Sequence, residues 1–218
     1  MNDNLYKFYG RRKGRGYKRI NQQSPFFLDY FLKGNQFKNY KSYSKNILEI
    51  GFGNAENLIK MSARYSNINF IGAEPYLNSC LKLSKVIAKN NIKNIKIWSD
   101  DIRKLIEFSS NNIFDLILIL HPDPWPKKKH SKRRLIQQNF IDFLEKILKK
   151  NGQIIISTDV DIMKSWILEQ FHIRKDFEWH IKNINICSKK PLCLVNSKYS
   201  KKAISMRNKN SWFIYRKL

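Results

Sequence analysis

Six of the chain's 17 acidic residues stand where a short apolar run gives out: Glu49, Glu74, Asp100, Asp101, Asp123 and Asp159. They close or follow the runs NILEI (46–50), INFIGAE (68–74), IKIW (95–98), IFDLILIL (113–120) and GQIIIST (152–158). A carboxylate accepts hydrogen bonds and attracts cations, so a row of them suits a ligand that carries hydroxyls, an amine or a positive charge. One Asp in such a place is also a common helix cap, and for Asp101 the capping and functional readings stand level. Asp123 adds a second question. It lies among three prolines and a tryptophan in HPDPWPKKKHSKRRL (121–135), directly before a dense run of positive charge.

The elements that must position these carboxylates follow from periodicity. The five runs are rich in Ile and too short for helices, so each predicts a buried strand. Residues 54–64, 76–90, 101–108 and 132–150 carry helix-like spacing between them, and IMKSWILEQF (162–171) predicts one more helix. Ser24 and Pro25 predict the start of a short helix ending near Gly34. FEWHIKNI (177–184) and SWFIYRKL (211–218) predict two terminal antiparallel strands. Strand and helix alternating in this way build an α/β fold: a mostly parallel seven-stranded sheet, helices on both faces, right-handed crossovers and an antiparallel C-terminal edge strand. Ligands of such sheets bind outside the carboxyl ends of the strands, which is the edge where the acids gather.

At the first strand, EIGFGNAE (49–56) places Gly51 and Gly53 where the chain must turn tightly and approach a ligand. A dinucleotide fingerprint wants a third Gly at position 56, where this chain has Glu56, and a pyrophosphate would be repelled by Glu49 and Glu56. NAD is therefore disfavoured. S-adenosylmethionine (SAM) fits better, with its ribose diol for Glu74, its adenine amine for Asp100 and its cationic methionine end for a carboxylate-rich mouth.

Forty-two Lys and Arg against 17 Asp and Glu give a formal charge of +25, which points to a polyanionic partner, nucleic acid first among them. No apolar stretch is long enough for a membrane helix or a signal peptide, so a cytoplasmic protein with no membrane partner is expected. Cys80, Cys187 and Cys193 are odd in number and lack C-x-x-C spacing, so free thiols are expected, with neither a disulfide framework nor a metal site. Residues 1–20 are basic and aperiodic and are expected to form a mobile arm, with residues 21–218 as a single domain. The expected state is a monomer, with a homodimer as the alternative.

Taken together, EIGFGNAE (49–56), FIGAEPY (70–76), DPWPKKKHSKRRL (123–135) and STD (157–159) resemble the bacterial tRNA (guanine-N7-)-methyltransferase family. Weaker matches lie in FYGRRKGR (8–15) and SKYSKKA (197–203). The resemblance spans nearly the whole chain, and the DPWPKK-x-H-x-KRR run is its specific element. It implies a Rossmann-like, SAM-dependent methyltransferase that modifies N7 of a variable-loop guanine in tRNA. It also implies Glu49, Gly51, Gly53, Glu74, Asp100 and Asp123 at the cofactor site, with Asp123 catalytic as well. Lys127 and Asp159 match substrate contacts, as do Ser197, Lys198, Tyr199 and Ser200, where the family has a Thr, a basic residue, an aromatic and a Glu. Ser197 keeps the hydroxyl, whereas Ser200 replaces the expected carboxylate.

The residues support such chemistry physically. Guanine N7 has a free lone pair and no proton to lose, so catalysis is positioning: N7 held in line with a sulfonium methyl. Asp123 and Asp159 are expected to accept hydrogen bonds from the guanine edge and to favour the developing purine cation. Pro122, Pro124 and Pro126 stiffen the loop. Trp125 reads either as a stacking platform for a flipped base or as a ring packed under the loop, the second being preferred. Lys127 to Arg134 are expected to grip tRNA phosphates, with His130 an RNA or loop contact. Two other readings use the same residues: an RNA-binding protein that kept the fold without catalysis, and a SAM-dependent methyltransferase of another RNA.

Overall fold

The Ile-rich runs form strands of one sheet. The structure, a computed structural model, describes residues 9–15, 17, 29–33, 45–107, 112–180, 189–191, 194 and 209–218. The strands are β1 (Asn46–Ile50), β2 (Asn69–Ala73), β3 (Ile95–Trp98), β4 (Phe114–Leu120), β5 (Leu148–Thr158), β6 (Phe177–Trp179) and β7 (Ser211–Lys217). Their order is β3-β2-β1-β4-β5-β7-β6. β1 to β5 pair in parallel, and β7 runs antiparallel to both β5 and β6. The antiparallel edge expected from the C-terminal pattern is present, with β7 inserted between β5 and the short outermost β6.

The helices are α1 (Glu56–Arg64), α2 (Leu77–Lys89), α3 (Gln138–Ile147) and α4 (Asp161–His172). Each buries one stripe: Leu58 and Met61 in α1, Cys80, Leu83 and Ile87 in α2, Phe140, Phe143, Leu144 and Ile147 in α3, and Met163, Ile167 and Phe171 in α4. Alternation along the strands sends neighbouring residues to opposite faces. Leu48, Ile154 and Ile156 join the core under α3 and α4, while Ile47 and Ile155 join the core under α1 and α2. Glu49 thus lies on the α1 face, buried like its neighbours in β1. At the β3 edge, Phe31 bridges Ile97 and the Leu32 N–H donates to the Ile97 carbonyl, covering part of the open strand.

Two expected helices differ. Residues 101–108 give a short 3₁₀ segment, Ile102–Glu107. The stretch 132–150 is split into a 3₁₀ segment at Lys128–Arg133, an extended link and α3, after which β5 begins at Leu148. At the break Arg134 is extended and 5% exposed, its guanidinium turned inward over Trp166, while Gln137 Nε2 donates to the carbonyls of Ser131 and Arg134. At the start of β5 the register shifts between Phe114 and Leu116, with Asn151 at φ 62°. The helix expected from Ser24 falls largely outside the described residues, as do Cys187, Cys193 and the Ser197–Ser200 stretch. Among the described residues, no helix is long and apolar enough to cross a membrane.

Candidate active site

Strand order reverses between β1 and β4, which is where open sheets of this kind hold a ligand crevice at the carboxyl ends of the strands. Glu49 is the penultimate residue of β1, Gly51 and Gly53 follow that strand, and His121 and Asp123 follow β4. The β1 loop turns through two left-handed glycines, Gly51 at φ 73° and Gly53 at φ 53°. A side chain built at Gly51 would meet nothing within 4 Å, so the turn borders open space.

Glu74, the first residue past β2, is drawn into this turn. Its Oε2 accepts the Gly53 N–H at 3.1 Å and its Oε1 the Tyr76 N–H at 3.0 Å. Burial pushes its carboxyl up, and the nearby negative charge of Asp123 adds to the shift. Residues 49 positions apart are thereby electrostatically coupled at one rim. Glu49 is more extreme. It is 3% exposed, and burial pushes its carboxyl up to about 8 against N–H donors from Leu58 and Asn57. Its Oε2 is buried without a hydrogen-bond partner. A buried acceptor in that state fits a ligand that brings a cation or a donor.

Asp100 follows β3 on the same edge. Arg12 pairs with it at 3.0 Å and Lys104 at 3.3 Å. Asp101 resolves into its capping role, accepting the Arg103 N–H at 2.9 Å and its guanidinium. Arg12 belongs to a stretch of the basic N-terminus that packs on the rim: its carbonyl accepts the Leu77 N–H, and the Gly14 N–H donates to Asn78.

Asp123 is exposed. The loop that carries it is held from behind by Arg134, whose Nε donates to the Pro124 carbonyl at 3.1 Å and Nη2 to the Trp125 carbonyl at 3.3 Å. The Arg134 guanidinium lies over the Trp166 ring, 4.7 Å from its centroid. Trp125 is packed, edge-on to Tyr9 and His130 and beneath Arg133, whose guanidinium also covers Tyr9. The basic run therefore divides. Lys127, Lys128, Lys129 and Lys132 are exposed, whereas Arg134 is a buried clamp on the loop and does not face solvent phosphates. A charge run read from sequence carries no sign of which members turn inward.

Asp159 leaves β5 beside His121, whose Nδ1 is 3.4 Å from its Oδ1. Burial lowers the His121 pKa, with Asp159 opposing the shift, so the ring is neutral near pH 7. Sequence reasoning missed His121 and Tyr9, whose partners are remote in the chain, and read Arg134 as a phosphate contact because nothing local shows that it turns inward. Among the described residues, no group of three or more His, Cys, Asp or Glu side chains could hold a metal ion.

Comparison with known proteins places the chain in a family. A family model described as "Putative methyltransferase" matches residues 44–212. A tRNA (guanine-N(7)-)-methyltransferase of Rhizobium johnstonii is 33% identical over 181 residues, covering 79% of this chain and 78% of the relative. One from Neorickettsia sennetsu is 35% identical over 152 residues, covering 69% and 68%. An rRNA methylase from Streptococcus thermophilus shares the fold, with TM-score 0.53 at 13% identity over 97% of this chain and 99% of that one. By the extent and identity of these matches, the chain belongs to the tRNA (guanine-N7-)-methyltransferase family.

Proposed function

We propose that the chain transfers a methyl group from SAM to N7 of the variable-loop guanine of tRNA, as a cytoplasmic enzyme. The observation that carries this reading is the juxtaposition of an acidic, partly buried rim with the exposed Lys127, Lys128, Lys129 and Lys132 that follow Asp123 in the chain. When bound, SAM would supply an electrophilic sulfonium methyl for the N7 lone pair to attack, its sulfur leaving as a neutral thioether while the purine takes the positive charge.

The residues divide the remaining work. Glu49, with its unpartnered oxygen, receives the cationic methionine end. Glu74, oriented by the Gly53 and Tyr76 N–H groups, takes the ribose hydroxyls with its remaining lone pairs. Asp100 takes the adenine amine, and Gly51 leaves room for the ligand. Asp123 and Asp159 accept hydrogen bonds from the guanine edge and favour the cation that forms. Lys127 holds the adjoining backbone, with Ser197, Lys198, Tyr199 and Ser200 completing the guanine side. The expected state is a monomer.

Incubation with tritiated SAM and unmodified tRNAs that carry or lack a variable-loop guanine tests the reading. Label should enter the first set alone and be recovered as 7-methylguanosine. Equal labelling of both sets would reject the assigned target, and no labelling of either would reject the enzyme.

A further inference from the structure

We infer that His121 is a positioning residue for methyl transfer: its imidazole Nδ1 hydrogen-bonds the Asp159 carboxylate and sets the angle at which that carboxylate meets the guanine edge. The inference rests on the proposed role of Asp159. β4 and β5 are adjacent parallel strands, and each of these residues is the first beyond its strand. The His121 N–H donates to the Ser157 carbonyl at 2.9 Å, prolonging the ladder by one residue past β4. It does so at φ 54°, a left-handed conformation uncommon for residues other than glycine but among those histidine adopts more readily.

The resulting ring is enclosed, with its side chain 7% exposed, while the Asp159 side chain keeps 22% exposure. Asp159 is thus held from the protein side and remains partly open to solvent. A neutral imidazole whose Nδ1 carries the proton donates to Asp159 and leaves the carboxylate its charge, which the purine cation requires. The Nδ1 to Oδ1 distance of 3.4 Å is long for such a bond, as catalytic hydrogen bonds often are before substrate arrives. An Asn at this position keeps a side-chain N–H donor and tolerates a left-handed backbone, whereas an Ala keeps neither.

The test is a double-mutant cycle on the full-length protein with tRNA and SAM, reading kcat, SAM affinity by calorimetry and melting temperature. His121→Ala should lower kcat roughly tenfold with SAM affinity unchanged, and His121→Asn should restore it to within about threefold. In an Asp159→Asn background the same His121→Ala change should cost no more than about twofold, because the partner it acts through is gone. Equal losses in both backgrounds would overturn the inference. So would His121→Asn as impaired as His121→Ala while melting like the parent. Full turnover by Asp159→Asn alone would instead remove Asp159 from the mechanism, and the inference with it.

Discussion

Burial makes Glu49 hold a proton near neutral pH. Its ordinary value of 4.5 is pushed up to about 8 by burial. Between those values the unfolded chain has released the proton and the native chain retains it. Its contribution to stability is therefore full below about pH 4.5 and is lost as pH rises through 8. If Glu49 receives the cationic methionine end as proposed, SAM association at pH 7 expels the proton. Affinity should rise by up to about tenfold per pH unit below 8. Calorimetry in buffers of different ionisation enthalpy should read about one proton released, and Glu49→Gln should release none. Persistence of that release in the variant would remove Glu49 from the site. Asp123 is exposed and is proposed to face the guanine. Asp123→Ala should cut kcat by more than about a hundredfold and change tRNA affinity by less than about threefold. Wild-type turnover by the variant would exclude it from catalysis.

At the scale of elements, the DPWP loop depends on a residue that reads like surface charge. Arg134 spans the carbonyls of Pro124 and Trp125 and lies on Trp166, which itself donates to the Ile136 carbonyl at 2.6 Å. Arg134→Ala should destabilise the protein by about 2 kcal/mol through two carbonyls left without donors. Arg134→Lys should rescue little, since an ammonium lacks the fork that reaches both. Thermal melting checks the first expectation and kcat at saturating SAM the second. The N-terminal stretch depends on close approach: a Cβ at Gly14 would come within 1.9 Å of the Tyr76 hydroxyl. Gly14→Ala should displace residues 9–15 and speed tryptic cleavage after Arg12 and Arg15; an unchanged cleavage rate would show that Tyr76 yields instead.

For the whole molecule, the +25 formal charge sets how it meets RNA. If the exposed lysines beside Asp123 and the basic termini neutralise about four to six phosphates, tRNA affinity should fall with salt at a log–log slope of about −3 to −5. Filter binding from low to moderate salt measures it, and a flat dependence would contradict a phosphate-led footprint. The charge is not spread as isolated cations. On the side away from the crevice, Arg174 pairs with Asp142 and Asp176, and Lys217 with Glu145, tying α3, the α4–β6 turn and β7 together.

Much of this was legible in the residues. Runs of Ile bounded by polar turns can only be buried strands, and two glycines after the first run can only be a tight turn, because side-chain type and spacing are local properties of the chain. The acids at strand ends were legible for the same reason. The break in the 132–150 stretch was not, since its helix-like spacing continues through Arg134 and nothing local shows that this guanidinium turns inward over Trp166. Nor was the pairing of His121 with Asp159, which exists because β4 and β5 lie side by side. Sequence alone determined the buried strands and where ionisable groups stand at their ends. Tertiary structure decided which of those groups are buried, paired or open to a ligand, because solvent exposure depends on what distant segments cover.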